Sequence, residues 1–270
     1  MIVKPKVRGF ICTTAHPVGC EAVVKSEIDY VKSKKAEDNG FKPKKVLVLG
    51  SSMGYGLASR ISLAFAGGAA TLGVMFDRPA SGNKTGTSGW YNTQAFEKYA
   101  KADGLYARTV NGDAYSDECK KEVIDIIKAD LGKVDCVVYS LAAPRRTVGD
   151  VTYSSVLKTT GEPYTNKTID LRNNTVSEVT IEPATEEEIA ATVKVMGGED
   201  WAAWIDALKA ADAIEDNAVT VAYSYIGPEL THPMYFEGSI GRAKAHLFQT
   251  SKEICLLYTS PSPRDAHESR

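Results

Sequence analysis

Tyr235 and Lys244 are the residues of this chain that could together support proton-transfer chemistry. A tyrosine hydroxyl can stabilise a developing enolate and later supply a proton, if a nearby ammonium lowers its pKa from about 10. On one continuous helix, residues nine apart would lie on opposite faces, since nine residues make about two and a half turns. The pair therefore requires Tyr235 to precede the helix, with Gly238-Ser239 supplying the break and the N-cap. By spacing alone, an equally good interpretation is that Tyr235 is packed in the core and Lys244 is solvated, with no shared chemistry.

A glycine-rich turn follows an apolar strand-like run, in the stretch Gly50-Ser51-Ser52-Met53-Gly54-Tyr55-Gly56. Glycines at this spacing permit a tight turn, close approach of backbone to a pyrophosphate, and packing of a helix against a strand. Exposed N–H groups and the helix dipole favour a phosphate at such a turn. A plain strand-to-helix turn can have the same pattern, so the turn alone is weak evidence.

An acidic residue ends the next predicted strand, at Phe76-Asp77, which lies 21 residues after Gly56. Dinucleotide-binding folds place a carboxylate here on the adenosine ribose. Because that carboxylate repels a 2′-phosphate, Asp77 favours NADH over NADPH, although neighbouring Arg78 weakens the prediction. The alternative is that Asp77 only caps the loop that follows it.

Two further strand ends complete the predicted cofactor edge. Asp113-Ala114 follows the third strand, where an adenine usually rests, and Leu141-Ala142 follows the fourth, where small residues let a cofactor lie against the backbone. In a parallel sheet all these ends meet at the carboxyl edge, which is where ligands bind. The four positions together predict a dinucleotide site.

The alternation of strand and helix predicts an α/β fold with a doubly wound, Rossmann-like parallel sheet. A Thr- and Asn-rich stretch near residues 151–183 predicts a β-hairpin excursion, and a capping box at Thr185 predicts that a helix follows. We expect residues 1–254 to form the dinucleotide-binding domain and residues 255–270 to be a non-native tail. The predicted strands are Lys45–Gly50, Ala70–Phe76, Tyr106–Val110, Cys136–Ala142 and Val219–Ile226. The predicted helices are Tyr55–Ala66, Tyr91–Ala102 and Asp117–Leu131.

Composition excludes several classes of function. The 270 residues are 43% hydrophobic, and the net charge of −2 gives no argument for a nucleic-acid partner. Without a run of about 18 apolar residues, we expect no membrane insertion. Five cysteines without a C-x-x-C pair indicate reduced thiols and a cytoplasmic location. The four histidines show no metal-ligand spacing, so we expect no metal.

The chain resembles the FabV-type trans-enoyl reductases, which carry a Tyr-x8-Lys signature. The resemblance covers nearly all of residues 1–250. It rests on these runs: MIVKPKVRGFIC, HPVGCEA, LVLGSSMGYGLASRI, GWYN, NGDAYSDE, VVYSLAAPRRT, VKVMGGEDW and SYIGPE with SIGRAK.

This resemblance implies a reductase of enoyl thioesters in fatty-acid synthesis that uses NADH, with acyl carrier protein or coenzyme A as the acyl carrier. It implies that Tyr235 is the active-site acid, that Lys244 is a ligand of the cofactor ribose that also acts on Tyr235, and that Tyr225 contacts substrate. The cofactor contacts that it implies are Gly50, Ser51, Ser52, Met53, Gly54, Tyr55, Phe76, Asp77, Asp113, Ala114, Leu141 and Ala142.

The sequence departs from the family in two ways. The family usually carries Glu where this chain has Asp77, which shortens the reach of the carboxylate by one methylene. Family members also continue well beyond this chain, and roughly a third of the usual domain is expected to be missing. A catalytically incompetent NAD-binding fragment and a short-chain carbonyl reductase are therefore the alternatives, the latter disfavoured by the nine-residue Tyr–Lys offset.

Several residues outside the glycine-rich turn and the Tyr–Lys pair allow more than one interpretation. Arg145-Arg146 could attract a phosphate of the thioester carrier or could be a solvated pair. Trp201 and Trp204 are expected in the core or in a cleft wall. The sequence does not determine the length of the acyl chain or the identity of its carrier. It leaves the oligomeric state open, and a monomer is one alternative.

Overall fold

The computed structural model describes residues 2–8, 11–34, 42–171 and 173–258. The chain divides into two compact units. The sheet unit consists of the chain up to Leu141 together with Asp206–Tyr223, and the hairpin unit consists of Ala142–Ile205 and the chain from Ser224 onwards.

The elements are numbered in chain order. The strands are β1 (Val7–Arg8), β2 (Ile11–Cys12), β3 (Lys45–Leu49), β4 (Ala70–Met75), β5 (Ala107–Asn111), β6 (Val134–Tyr139), β7 (Arg145–Val148), β8 (Val151–Ser154), β9 (Tyr164–Asp170), β10 (Thr175–Ile181) and β11 (Ile214–Ala222). The helices are α1 (Pro17–Ser33), α2 (Gly54–Phe65), α3 (Ser88–Ala102), α4 (Asp117–Ile126, continued by a π-helical turn at Ile127–Leu131), α5 (Glu186–Met196), α6 (Glu199–Ala210) and α7 (Ser239–Tyr258).

The sheet unit contains a five-stranded sheet in the order β11-β6-β3-β4-β5, and every pairing in it is parallel. The chain starts at the centre with β3 and winds outwards in both directions, so the predicted doubly wound fold is confirmed. Its central strand is fully buried from Val46 to Leu49, as expected for a strand with helices on both faces.

The outermost predicted strand is wrong in its bounds. The apolar run predicts Val219–Ile226, whereas β11 runs from Ile214 to Ala222. Its pairing with β6 shifts register between Ile214 and Val219, across a charged stretch. Residues 215–218 fall within this shift and outside the paired register, so the apolar pattern does not mark them although they belong to the strand.

A buried arginine of α2, Arg60, bonds to both β4 and β5, and its Nε donates to Oγ1 of Thr71 on β4 at 3.2 Å. The guanidinium of Arg60 donates from Nη1 to Oγ1 of Thr109 at 2.8 Å and from Nη2 to the Arg108 carbonyl oxygen at 2.7 Å. Its carbon Cζ lies 4.4 Å from the centre of the Phe96 ring. Burial lowers the pKa of Arg60 to about 10, and the nearby charge of Glu97 opposes that shift. These bonds fix α2, and therefore the turn that precedes it, on the sheet.

The hairpin unit contains two hairpins where the sequence predicts one excursion. β7 pairs with β8, and β9 pairs with β10 over seven residue pairs. The first hairpin begins at Arg145, before the predicted stretch. The sequence did not predict this strand because the Arg-Arg-Thr-Val run lacks the alternation of apolar and polar residues that is typical of strands. The predicted capping box is confirmed: Thr185 accepts from the Glu188 N–H, and the Glu188 carboxylate accepts from the Thr185 N–H.

Arg146 corrects a sequence interpretation. Its side chain is only 7% exposed, so it is not one of a solvated pair. It donates to the Lys194 carbonyl oxygen at 2.8 Å and pairs with Glu199 at 3.2 Å. The guanidinium is therefore committed to joining β7 to α5 and α6. Trp201 and Trp204 are buried in the same unit, as expected.

All five cysteines are free thiols. Across the described ranges, no group of three or more His, Cys, Asp or Glu residues could hold a metal ion. None of the described helices has the length and apolar character needed to cross a membrane. Of the predicted tail, Cys255–Tyr258 continues α7, and residues 259–270 lie outside the described residues.

Candidate active site

The glycine-rich turn lies between β3 and α2, at the carboxyl edge of the sheet. The N–H groups of Gly50 and Ser51 both donate to the carbonyl oxygen of Val74, at 3.0 and 2.9 Å. Gly50 has φ +79°, and a Cβ at this position would overlap the backbone of Ser140, with the carbonyl carbon at 2.8 Å. Only glycine fits, so the turn lies directly on the ends of β4 and β6.

The N-terminus of α2 is open to an anion. Met53 precedes the helix and its side chain makes no capping hydrogen bond, and the first turn contains no acidic residue. Gly54 has φ +53°, and within the described part of the chain no atom lies within 4 Å of the position of its missing Cβ. Uncapped N–H groups at the positive end of a helix dipole suit a phosphate, so the turn fits the pyrophosphate of a dinucleotide.

Asp77 lies in a small polar enclosure just beyond β4. Its Oδ1 accepts a hydrogen bond from the hydroxyl of Thr87 at 2.7 Å. The side-chain amide of Asn111 holds the backbone on both sides, accepting from the Asp77 N–H at 2.9 Å and donating to the Asp77 carbonyl oxygen at 2.8 Å. A Cβ on Gly89 would lie 2.6 Å from Oδ1. The carboxylate therefore stands against the first turn of α3.

The same turn of α3 also holds the glycine-rich turn. The side-chain amide of Asn92 donates to the Ser52 carbonyl oxygen at 3.2 Å, and the Ser88 hydroxyl donates to the sulfur of Met53 at 3.3 Å. The Gly-Trp-Tyr-Asn run at residues 89–92 thus joins the predicted phosphate and ribose positions. Sequence reasoning missed this role of Gly89 and Asn92, although the run was part of the family resemblance.

Other predicted cofactor positions also lie at strand ends of the sheet unit. Phe76 is 80% exposed after β4. Asp113 follows β5, where its carboxylate accepts from the Tyr115 N–H at 3.0 Å. Ala114 is buried, and Leu141 follows β6. The structure therefore places the predicted contacts of this unit along one sheet edge, whereas Ala142 belongs to the hairpin unit.

Two tyrosines stack on each other where the glycine-rich turn enters α2, within the sheet unit. The rings of Tyr55 and Tyr223 are stacked, with centroids 5.1 Å apart and an interplanar angle of 21°. The Tyr223 hydroxyl lies 2.6 Å from Oγ of Ser59, which donates to the Tyr55 carbonyl oxygen at 2.7 Å. Tyr55 thus has contacts on its ring and on its backbone.

In the hairpin unit, Tyr235 lies in the turns that precede α7, as the sequence predicts. Its N–H donates to the carbonyl oxygen of Thr231 at 3.0 Å. Its ring meets the ring of Tyr225 edge to face, with centroids 5.1 Å apart and an interplanar angle of 87°. The proposed acid and the proposed substrate contact are therefore direct neighbours.

Gly241 brings the tyrosine segment onto the helix. A Cβ here would lie 2.5 Å from the carbonyl oxygen of Tyr235 and nearer still to that of Phe236. Residues three apart share a helix face, so Gly241 and Lys244 lie on the same side of α7. The backbone of the segment that carries Tyr235 therefore lies against the first turn of α7, three residues before Lys244. The requirement for glycine at 241 was missed in the sequence.

Lys244 is 8% exposed, which is unusual for a lysine. No acceptor or carboxylate of the described residues bonds its ammonium group. Burial without a compensating charge lowers the pKa of Lys244 below its ordinary value of 10.5. A buried ammonium without a protein partner is expensive, and a ligand with hydroxyl or phosphate oxygens would satisfy it.

Ser239 is the first residue of α7 and not its N-cap, because the first helical hydrogen bond runs from the Arg242 N–H to the Gly238 carbonyl oxygen. Its hydroxyl donates to the Val156 carbonyl oxygen at 2.5 Å and accepts from the Lys158 N–H at 3.2 Å. Its own N–H donates to the Lys158 carbonyl oxygen at 2.9 Å. These three bonds fix the start of α7 on the segment after β8, because the buried hydroxyl finds backbone partners there.

A cavity of about 860 Å³ lies beside Lys244 in the hairpin unit. Apolar side chains form much of its lining, among them Ile226, Phe236 and Phe248. Two basic residues, Arg242 and Lys244, and two acidic residues, Glu162 and Glu237, also line it. Its size is in the range of small-molecule sites. An apolar wall beside a buried ammonium suits a ligand with a hydrocarbon part and an anionic or oxygen-rich part.

Two family models match consecutive parts of the chain. The model described as the catalytic region of trans-2-enoyl-CoA reductase matches residues 84–263, and the NAD(P)H binding domain of trans-2-enoyl-CoA reductase matches residues 2–82. The chain belongs to the trans-2-enoyl-CoA reductase family. Membership agrees with the FabV-type resemblance and with the uncapped glycine-rich turn.

Members of the trans-2-enoyl-CoA reductase family with curated names are close in sequence. The chain is 60% identical over 257 residues to the trans-2-enoyl-CoA reductase [NADH] of Ruminiclostridium cellulolyticum, covering 94% of this chain and 64% of that one. It is 58% identical over 260 residues to the enoyl-[acyl-carrier-protein] reductase [NADH] of Opitutus terrae, covering 95% and 65%. The chain thus spans a little under two thirds of these relatives.

A solved structure of the same family confirms the fold. The trans-2-enoyl-CoA reductase of Treponema denticola, crystallised with NAD, superposes with a TM-score of 0.91 at 50% identity. The match covers 95% of this chain and 66% of that one.

Proposed function

We propose that this chain forms the cofactor-binding and acid–base parts of an NADH-dependent reductase of trans-2-enoyl thioesters. The observation that carries the proposal is the start of α7, where the backbone of the Tyr235 segment lies against Gly241 and the buried ammonium of Lys244 follows three residues later. Family membership supplies the reaction class. The names of the two curated relatives support NADH as the reductant.

The sheet unit would bind the cofactor. The open N-terminus of α2 would hold the pyrophosphate through the N–H groups after Gly50, and Asp77 would accept from the adenosine ribose through the oxygen that Thr87 does not bond. Phe76, Asp113, Ala114, Leu141 and Ala142 are the remaining proposed contacts. Bound NADH supplies the hydride that adds to the carbon β to the thioester carbonyl.

The hairpin unit would handle the proton. Tyr235 would donate a hydrogen bond to the thioester oxygen as negative charge develops on it, and then supply the proton that completes the reduction at the α carbon. Lys244 would bind a ribose hydroxyl of the cofactor and stabilise the tyrosinate that remains. Tyr225, in edge-to-face contact with Tyr235, would touch the substrate and keep the Tyr235 ring in place.

The substrate would be a trans-2-enoyl group on either coenzyme A or acyl carrier protein. The apolar cavity beside Lys244 supports an acyl chain as the part of the substrate that enters it. The curated relatives carry one carrier each in their names, so both carriers belong in the test. The cytoplasmic location stays a prediction.

A second candidate is an NAD-binding fragment that lacks catalysis. It is favoured by one observation, that the chain spans only 64% and 65% of the two curated relatives. A short-chain carbonyl reductase is disfavoured, because its tyrosine and lysine share one helix face, whereas Tyr235 precedes α7.

Two measurements on the 270-residue chain test the proposal. NADH binding is followed by calorimetry, and NADH oxidation is followed by absorbance with crotonyl-CoA and with crotonyl-acyl carrier protein. We expect binding, and turnover with at least one thioester that is lost in Tyr235→Phe. Failure to bind NADH would overturn the proposal. Binding of NADH without turnover of either thioester would support the second candidate, an NAD-binding fragment that lacks catalysis.

A further inference from the structure

Tyr223 is an aromatic residue of the sheet unit that the proposed function leaves without a role. It directly follows β11, and its N–H donates to the Tyr139 carbonyl oxygen at 3.1 Å, which extends the pairing of β11 with β6. The backbone of Tyr223 is therefore fixed by the sheet. Its side chain reaches Tyr55 and Ser59 of α2.

The direction of the hydrogen bonds can be assigned. Ser59 Oγ donates its single proton to the Tyr55 carbonyl oxygen at 2.7 Å. In its 2.6 Å contact with Tyr223, Ser59 must then accept, so the Tyr223 hydroxyl is the donor. A relay runs from Tyr223 through Ser59 to the first turn of α2. The hydroxyl proton of Tyr223 is already donated to Ser59, so Tyr223 is not a candidate for the catalytic acid.

The ring of Tyr223 makes a second contact to the same turn. Tyr55 is 67% exposed, and its 5.1 Å stack on Tyr223 holds a side chain that would otherwise turn freely in solvent. Tyr55 is the second residue of α2, directly after Gly54, at the helix end proposed to bind the pyrophosphate. One residue of the sheet thus holds both the backbone and the ring of Tyr55.

We propose that Tyr223 is a positioning residue for the dinucleotide site, acting through Tyr55. This inference rests on the proposed function, because the ligand is the NADH assigned there. Tyr223 would not touch the cofactor, and its stack and its relay would keep Tyr55 and the N–H groups of the first turn in the conformation that binds phosphate. Pre-organisation of this kind raises affinity by removing the entropic cost of ordering the turn on binding.

The test is a double-mutant cycle on the full 270-residue chain with Tyr55→Ala, Tyr223→Ala and the double variant. NADH dissociation constants are measured by calorimetry, beside the melting temperature of each variant. We expect Tyr223→Ala to raise the dissociation constant about 2- to 12-fold, the range that one aromatic pair supports. In the Tyr55→Ala background the same change removes only the hydrogen bond to Ser59 and should have less than about a 1.5-fold effect. Tyr223→Phe keeps the ring and should recover most of the affinity.

Tyr106→Phe is the matched control. The Tyr106 hydroxyl donates to Asp130 at 2.6 Å, and the residue precedes β5, at the amino edge of the sheet. Its loss should lower stability without changing NADH affinity. Equal NADH affinity of Tyr223→Ala and the wild type, or fully additive effects of Tyr55→Ala and Tyr223→Ala, would overturn the proposal.

Hydrogen exchange separates this inference from the proposed function. Without cofactor, amides in the segment 51–59 should exchange faster in Tyr223→Ala than in the wild type, whereas those of Tyr106→Phe should not change. If the wild type bound no NADH, the proposed function and the cofactor role would fail together. Faster exchange would still support the positioning of Tyr55 by Tyr223, and unchanged exchange would overturn it.

Discussion

Gly89 and Asp77 are packed so closely that no side chain larger than hydrogen fits between them. A Cβ on Gly89 would lie 2.6 Å from Oδ1 of Asp77, nearer still to Oδ2, and 2.6 Å from Oγ of Ser52. The proposed ribose ligand is thus held by three neighbours, since Thr87 and Asn111 bond its carboxylate and its backbone. The position of the carboxylate depends on a residue twelve positions further along the chain.

Gly89→Ala should weaken NADH binding by about tenfold, because the new methyl group must displace the Asp77 carboxylate or shift α3. A displaced hydrogen-bonding charge typically loses about 1.5–3 kcal/mol. Calorimetric titration of the variant with NADH measures the loss. Gly19→Ala is the control, since its Cβ would meet His16 at an ordinary 3.5 Å. Unchanged affinity in Gly89→Ala would contradict the assignment of Asp77 to the ribose.

Asp77→Ala should narrow the preference for NADH over NADPH. Without the carboxylate, NADH loses a ribose partner, and the 2′-phosphate of NADPH no longer meets a negative charge. The ratio of the two dissociation constants measures the effect. Asp125→Ala removes an equal charge at the surface and should leave the ratio unchanged. A wild-type chain that bound both cofactors equally would remove this role from Asp77, and Arg78 would be the first residue to test.

Tyr235→Phe should reduce enoyl-thioester reduction at least about a hundredfold while NADH binding stays within about twofold, because a positioned general acid is typically worth 10²–10⁴. Loss of NADH absorbance with crotonyl-CoA or crotonyl-acyl carrier protein reports the rate. Tyr30→Phe, at an exposed position of α1, provides the comparison. Turnover at the wild-type rate in Tyr235→Phe would exclude this tyrosine as the acid.

Lys244→Met should make the chain more stable and bind NADH more weakly. The wild type buries an ammonium whose pKa is lowered in the folded state, so the folded chain binds fewer protons than the unfolded chain between that pKa and 10.5. Stability of the wild type therefore rises with pH across this window, and the full penalty is present below it. The melting temperature of the variant should exceed that of the wild type near pH 7 by roughly 2–4 °C per kcal/mol recovered.

This gain should shrink as the pH approaches 10.5, because the wild-type lysine then loses its proton in both states. Lys252→Met, at an exposed position of the same helix, should show neither the gain nor its pH dependence. A Lys244→Met variant that melted at a lower temperature at pH 7 would mean that the ammonium has a stabilising partner in the folded chain.

The fold was largely predictable because its strands are continuous apolar runs and its turn glycines are local signals. Lys45–Leu49 and Ala70–Met75 match their predicted runs almost to the residue, since both faces of these strands are buried. The outer strand β11 was misplaced because its first half is charged and its pairing shifts register. Local patterns cannot report a pairing partner that lies far away in the sequence.

The candidate site was predictable only in part. Tyr235, Lys244 and Asp77 have side chains whose chemistry indicates a role in the sequence alone. Gly89 and Gly241 matter because the absence of a side chain leaves space for atoms of another residue. A glycine inside a helical pattern gives no sign of which atom occupies that space. Likewise, the burial of Arg146 follows from its partners on α5 and α6, which its neighbours along the chain do not reveal.

The order in which the chain builds its sheet has a consequence for synthesis on the ribosome. β6 is made before the segment Ala142–Ile205, and β11, which pairs with it, is made after that segment. At about 5–20 residues per second, the outer edge of β6 waits several seconds for its partner strand. An apolar strand with unpaired backbone groups is a template for wrong pairing during that interval. A gene fragment that stopped at Leu141 would make this condition permanent, so expression of the sheet unit requires both of its segments.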